Sequence, residues 1–570
     1  MSTMATRLVI VGGVAGGATA AARARRLSED AEITIIERGP YVSFANCGLP
    51  YFIAGAIAKR SKLLLQTPEG FDSRYGVKVL LRSEAVEIDR AGKRVKVRMA
   101  GDRALGGQAG GPVDDAWLDY DKLILAQGGN PVMPPVEGAG SPNVFKLWTI
   151  PDMDRIVKYL DEEKPQSAVI AGGGFIGLEM AEAFRERGLS TTVVEMMPRL
   201  MPAMDPEFGS MIASRLESHG VAVRTGVALK TVHAGEREVE LSDGSRVPAG
   251  VVLFSVGVRP ELSLATSAGL SIGSSGGLLV DERLQTSDPD IFAAGDMVEV
   301  VQRVSGKRVR VPLAGPANRQ GRIAASNALG QNMRYAGALG TSVFKAFDAT
   351  VASTGLSETA AREAGFQVGS ATVHKDHHSA YYPGAKELSL KLVYDRRDGR
   401  LLGAQAFGEE GVEKRIDVAA TALLGQLHLA DLAELDLAYA PPYSSANDPI
   451  NVAAMVGMND LEGYSPLETA AELKSALNSD SPPLVLDVRN RNEYDERHIA
   501  GSLNIPVDEL RFSLDEVPRD RAVHVLDRTG FRGHLALRIL NGSGIAKVMN
   551  VSGGFLSVEA EGGFPIEAGE

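Results

Sequence analysis

An apolar run at Leu8–Val11 gives way to a Gly-rich turn and then to an Ala-rich stretch reaching Leu27, after which "EITII" leads into Glu37. This alternation predicts a buried strand, a tight turn, a helix and a second strand. The pattern recurs in "SAVIAGGGFIGLEMAEAFRERG" and "STTVVE", the second copy ending at Glu195. Further along, "TSDPDIFAAGD" places Asp296 at the end of a short apolar strand, and "PLAGPANRQGRIAASNAL" runs from a loop into a helix. Residues from about 335 to 458 mix strand-like runs such as "LSLKLVYD" with helical ones such as "VEKRIDVAATALL". A linker and helix follow, and "LVLDVR" begins a fresh strand in what reads as a separate domain.

Composition narrows the partners. With 570 residues the chain is long enough for several cores, and 44% hydrophobic against 23% charged residues is an ordinary globular balance. A net charge of -12 disfavours nucleic acid and anionic membrane as partners. No apolar run approaches the roughly 20 residues needed to span a bilayer, and "MSTMATR" lacks a signal-peptide layout. Cys47 is the only cysteine, so no internal disulfide forms and a cytoplasmic setting is expected.

Each Gly-rich turn suits a dinucleotide, because small residues let backbone N–H groups and a helix start approach a pyrophosphate. In the second copy Gly172, Gly174 and Gly177 hold the three positions, and Glu195 is placed to accept both ribose hydroxyls. A carboxylate there disfavours a 2′-phosphate, pointing to NADH rather than NADPH. The first copy departs from the pattern, with Val14 between Gly12 and Gly17. Two copies with matching acidic residues imply two dinucleotides.

Together with "SFANCGLPY" (43–51), Asp296 and "PANRQGR", these motifs resemble the flavoprotein pyridine nucleotide-disulfide oxidoreductases, in particular the single-cysteine coenzyme A disulfide reductases. The resemblance covers residues 7 to about 455. It implies an α/β protein with two Rossmann-like domains, an FAD domain at 1–150 and 272–330 and an NADH domain at 151–271, followed by an α+β dimerisation domain at 331–458. FAD is expected on Gly12, Val14, Gly17, Glu37, Arg38, Gly128, Asp296 and Ala314. NADH is expected on Gly172, Gly174, Phe175, Ile176, Gly177, Glu195 and Gly257. Gln127 departs from the Thr found in many members.

Two-cysteine relatives carry a second Cys where this chain has Phe52, so the redox partner of Cys47 comes from outside the chain. The resemblance implies a mixed disulfide or persulfide of Cys47 with coenzyme A, bound by Ala15, Arg23, Arg26, Ser43 and Asn46. Proximity to a flavin and a helix start is expected to lower the Cys47 pKa. A tyrosine from each of "HHSAYYPGAKEL" and "LAYAPPYSSANDPIN" is expected to reach the other subunit of a homodimer as proton donor. Tyr382 and Tyr443 are the first choices, with Tyr381 and Tyr439 beside them. His374 and His377, at helical spacing, suggest a metal only weakly, and none is expected.

After a linker and helix at 459–478, the 479–570 segment resembles a C-terminal α/β rhodanese domain, on the strength of "DVR", "HIAGSLNIP" and the loop with Gly530 and Arg532. Asp527 stands where that family has its nucleophilic Cys. A carboxylate cannot carry a persulfide, so sulfur transfer is expected to be absent. Asp527 is read either as a natural pseudo-enzyme feature or as an engineered Cys→Asp change. The implied function is NADH-dependent reduction of coenzyme A persulfide, polysulfide or coenzyme A disulfide. Two alternatives remain open: an NADH oxidase or peroxidase working through a Cys47 sulfenic acid, against which stands Ala15 in place of a His, and a flavin-containing sensor or binding protein.

Overall fold

The computed structural model describes residues 5–99 and 114–568, and the extreme N-terminus on which the targeting expectation rests lies outside them. The described residues form two compact units, one within 1–196 and 226–340, the other within 197–225 and 341–570.

In the first unit the strand Arg7–Val11 lies between Glu32–Ile36 and Lys122–Leu125, all parallel, with Ile291–Ala293 and Val77–Leu80 at the edges. Leu8 and Ile10 are wholly buried, as expected of a strand covered on both faces. Each such side chain contributes roughly 2 kcal/mol on burial. Because neighbours join on both sides of Arg7–Val11, connections leave it in opposite directions, opening a crevice at its carboxyl end. The same plan recurs where Ser167–Ala171 pairs in parallel with Ser190–Glu195 and Val251–Phe254. The helices Ala15–Leu27 and Phe175–Glu186 follow the two Gly-rich turns.

The second unit holds a five-stranded antiparallel sheet ordered 342–346, 349–355, 401–408, 387–395 and 368–376. It also holds a parallel sheet in which Leu484–Asp487 and Val523–Leu526 are central and Leu467–Glu468 is an edge strand, paired with Val548–Val551. The strand 387–395 is buried along nearly its whole length, including Lys391. The Lys391 ammonium lies 2.5 Å from Glu207, 2.6 Å from Glu358 and 3.1 Å from Asp205. Burial opposes its charge, but the three carboxylates outweigh that and raise its pKa. Among the described residues no helix is long and apolar enough to cross a membrane.

The two histidines expected at helical spacing lie elsewhere. His374 is inside the strand Val368–Asp376 and His377 just beyond it, because the β-branched run before them pairs along Glu387–Asp395. No cluster of three or more His, Cys, Asp or Glu able to hold a metal ion occurs among the described residues.

Candidate active site

Both Gly-rich turns are built alike. Gly12 and Gly172 adopt φ of +98° and +113°, and their amides donate to Ile36 and Val194. A Cβ on Gly17 would lie 1.8 Å from the Gly12 carbonyl oxygen, and one on Gly177 would lie 2.0 Å from that of Gly172. Helix and turn therefore meet backbone to backbone, which only glycine permits. Glu37 accepts from the Gly13 amide at 2.8 Å and the Gly39 amide at 2.6 Å. Glu195 accepts from Gly173 at 2.7 Å. Each carboxylate is thus fixed at the end of the second strand of its motif, beside the turn. Val14 is the N-cap of Ala15–Leu27 and Gly174 that of Phe175–Glu186, the latter helix beginning with Phe175, Ile176 and Gly177.

Several features of the first motif fit an extended polar cofactor such as FAD. Burial alone raises the Asp296 carboxyl to about 6. The buried Oε1 of Gln127 has no hydrogen-bond donor among the described residues. Hydroxyl and ring N–H groups of FAD would satisfy such atoms. Gly128, at φ +65°, adjoins Gln127, and its carbonyl accepts from Glu261 N. Ala314 begins a helix whose Gly321 approaches Gly16 so closely that a Cβ would lie 2.1 Å from the Gly16 oxygen. Arg38 donates to Asn130 at 3.2 Å and lies 3.9 Å from Glu261. In the second motif, Gly257 adopts φ +104° and its carbonyl accepts from Val132 N.

Cys47 is a free, exposed thiol in the short 3-10 turn Asn46–Gly48, which leads into the helix Leu49–Ile53. Ser43, four residues earlier, adopts a left-handed φ of 48°, a conformation uncommon for a side-chain-bearing residue. Asn46 Oδ1 accepts from the Cys47 amide at 3.0 Å and lies 3.6 Å from its sulfur.

The protein groups around Cys47 act against the expected lowering of its pKa. Enough protein packs around the thiol that burial is the leading cause raising its pKa, followed by the charges of Glu179 and Asp296. The adjoining helix of five residues is too short to reverse this. Glu179, on Phe175–Glu186, accepts from the Tyr51 hydroxyl at 3.0 Å. Burial raises the carboxyl pKa of Glu179 and the phenol pKa of Tyr51. Sequence reasoning missed this pair, although Tyr51 lies one helical turn after Cys47 and Glu179 follows Gly177. Removing the Glu179 charge should make the Cys47 thiol more acidic. In the holoenzyme, Glu179→Gln is expected to move the rise of iodoacetamide alkylation to lower pH, with alkylation at pH 7 about threefold faster. An unmoved profile would contradict this electrostatic account.

Arg23 and Arg26 both lie on Ala15–Leu27, but only Arg26 is exposed. Arg23 donates to Ser326 at 3.0 Å, and Arg26 donates to the Ala22 carbonyl. Burial, then the positive charges of Arg322 and Arg26, lower the Arg23 pKa. The structure thus adds Arg322, within the quoted "PANRQGR" motif, to a group of mutually repelling cations that an anion would relieve.

The two tyrosine segments come together in the second unit. Ser379 N and Oγ both lie 3.2 Å from the Ser444 carbonyl, and the Tyr381 and Tyr439 hydroxyls are 3.3 Å apart. Tyr382 packs edge-on to His378, and Tyr443 is largely exposed.

Asp527 follows Val523–Leu526 and is 1% exposed. Its carboxylate accepts from Gly530 N at 2.5 Å and Arg532 N at 3.0 Å. Burial raises its pKa while these backbone amides and that of Thr529 oppose the rise. The Arg532 guanidinium turns to Glu493, at 2.7 and 2.8 Å. An internal carboxylate therefore fills the ring that these loop amides form.

Residues 6–321 match the family described as pyridine nucleotide-disulphide oxidoreductase, 341–448 its dimerisation domain and 469–561 the rhodanese-like domain. The chain is 36% identical over 451 residues to the NAD(P)H sulfur oxidoreductase (CoA-dependent) of Pyrococcus abyssi, which covers 79% of this chain and 97% of that relative. The structure is similar to that of reduced Bacillus anthracis CoADR-RHD, with TM-score 0.93, 40% identity and 98% of both chains covered. It is also similar to an NAD-dependent persulfide reductase from A. fulgidus, with TM-score 0.89, 36% identity and coverage of 96% and 99%. The chain belongs to the pyridine nucleotide-disulphide oxidoreductase family, whose cofactors are FAD and NAD(P)H.

Proposed function

We propose that this protein uses NADH to reduce coenzyme A persulfide, polysulfide or coenzyme A disulfide through Cys47. The observation that carries the reading is a lone, exposed thiol in the same unit as two Gly-rich dinucleotide turns. The names of the Pyrococcus abyssi and A. fulgidus relatives support coenzyme A and persulfide as substrate chemistry.

Gly12, Val14 and Gly17 receive the FAD pyrophosphate, Glu37 its adenosine ribose and Asp296 its ribityl hydroxyls, with Arg38, Gly128 and Ala314 bordering the site. When bound, FAD supplies the two-electron link between nicotinamide and sulfur. Gly172, Gly174, Phe175, Ile176 and Gly177 cradle the NADH pyrophosphate. Glu195 holds the ribose and selects against a 2′-phosphate, and Gly257 borders the second site. Arg23, Arg26 and Arg322 balance the phosphates of coenzyme A, while Ala15, Ser43 and Asn46 line its approach.

Cys47 thiolate attacks the substrate S–S bond, forming one disulfide bond to a sulfur fragment and expelling the other fragment as a thiolate. Tyr382 and Tyr443 of a partner subunit supply the proton that converts this leaving group to a thiol. The two electrons and proton that NADH gives up on becoming NAD+ then cleave the S–S bond at Cys47, restoring its thiolate and releasing the second fragment in protonated form. Because burial and nearby carboxylates raise the Cys47 pKa, turnover in the attack step rises with pH through the thiol pKa.

Anaerobic NADH oxidation by the holoenzyme tests the reading. Fast turnover is expected with coenzyme A persulfide or disulfide, and slow turnover with hydrogen peroxide or, in a separate aerobic arm, oxygen. Activity confined to peroxide or oxygen would favour the sulfenic-acid chemistry of an oxidase or peroxidase.

The rhodanese-like domain is inactive in sulfur transfer, because the nucleophile position holds a carboxylate that already occupies the amide ring. No transfer from thiosulfate to cyanide is expected from the unaltered protein, and Asp527→Cys is expected to gain measurable transfer. Transfer by the unaltered protein would contradict the assignment.

A further inference from the structure

The Asp527 loop is tied to the antiparallel sheet of the same unit. Arg528, the next residue, donates to Glu387 at 2.9 and 3.4 Å. Glu387 begins the strand 387–395 and pairs with Asp376, the last residue of the strand 368–376. Residues 377–386 between them form the tip that carries Tyr381 and Tyr382.

The partner strand is held as well. Thr372 N donates to Ser552 Oγ at 2.9 Å, satisfying a backbone amide of an edge strand. His374 is buried, with Nδ1 2.8 Å from Ser389 Oγ and Nε2 3.2 Å from Ser557 Oγ. A Cβ on Gly553 would lie 2.9 Å from His374 Nε2, and one on Gly554 would lie 2.4 Å from the Asp527 carbonyl oxygen. The Asp527 loop, the Gly553–Gly554 turn and the edge strand are therefore one packed stack with no room between its layers.

Asp527 explains why this stack needs no ligand. Its carboxylate satisfies the loop amides permanently, whereas a thiol is a weak acceptor and would leave the ring to a bound anion. With Arg532 committed to Glu493, Arg528 is the loop cation that reaches the sheet.

We propose that the rhodanese-like domain is a fixed brace for the proton-donating tip, with Arg528 and Ser557 as positioning residues that hold the tyrosines through Glu387 and His374. The proposal rests on the reading of these tyrosines as proton donors. It assigns the domain a part in the reductase reaction that requires no sulfur chemistry of its own.

An exposed ion pair adds little to stability, so breaking it tests position rather than folding. For Arg528→Ala in the holoenzyme, flavin reduction by NADH and KM for coenzyme A disulfide are expected to stay unchanged, while kcat falls about fivefold to tenfold. The exchanged pair Arg528→Glu with Glu387→Arg is expected to recover kcat to within about twofold. Hydrogen exchange at residues 377–386 should quicken at least about threefold in Arg528→Ala and return in the exchanged pair. Unchanged exchange, or no recovery in the exchanged pair, would overturn the brace. Tyr381→Phe and Tyr382→Phe, alone and together, separate the two ideas. Full activity in all three would sink the reading of the tip tyrosines as proton donors, leaving the exchange measurement to decide the brace. A loss from the double Phe variant that multiplies fully with that of Arg528→Ala would show that Arg528 does not act through the tyrosines.

Discussion

Cys47→Ser is expected to abolish reduction of coenzyme A disulfide and persulfide, by on the order of a thousandfold or more, while NADH still reduces the bound flavin. The hydroxyl of serine is a poor nucleophile toward sulfur and forms no stable bond to it. No second cysteine exists anywhere in the chain to take over. The two half-reactions thereby separate: the dinucleotide turns are untouched, and only the bond to substrate sulfur is lost. Stopped-flow flavin reduction together with steady-state turnover reads both. Sulfur turnover retained above about a tenth of the original rate would contradict the assigned role.

Gly17→Val is expected to yield protein nearly devoid of FAD. The first atom of any side chain at this position would stand 1.8 Å from the Gly12 carbonyl oxygen, so the turn or the helix must move. Displacement of packed backbone costs roughly 3 kcal/mol or more and misaims the amides that would meet the pyrophosphate. Gly174→Ala serves as a control outside the FAD turn: it stands in the NADH turn, and a Cβ there meets nothing within 4 Å. The flavin content of purified Gly17→Val should fall about tenfold or more, whereas Gly174→Ala should keep its FAD. Equal flavin content in the two variants would contradict the backbone-contact argument.

Much of the reductase architecture is legible in local patterns. Each nucleotide turn joins a buried apolar strand to a helix, and Glu37 and Glu195 sit at the next strand ends with hydrogen bonds back to the turns. The placement of Cys47 in a turn is similarly readable from the Asn, Gly and Pro around it. Its acidity is not, because the packing that buries the thiol, and after it the charges of Glu179 and Asp296, reach it only through the tertiary fold. Lys391 looks like a surface interruption of an apolar strand until Asp205, Glu207 and Glu358 converge on it. His374 shows the limit of periodicity: a spacing suited to a helix falls at the end of a paired strand. At Asp527, sequence reveals the missing thiol, whereas the structure reveals where the replacing carboxylate points.

The most direct test of Cys47 as the site of substrate attachment is the intact mass of the oxidised holoenzyme after anaerobic incubation with coenzyme A disulfide in the absence of NADH. With a single cysteine in the chain, one disulfide-linked coenzyme A per subunit is expected, removed when NADH is added and absent from Cys47→Ser. A protein that turns over coenzyme A disulfide without this adduct, or whose adduct persists through NADH turnover, would contradict the account.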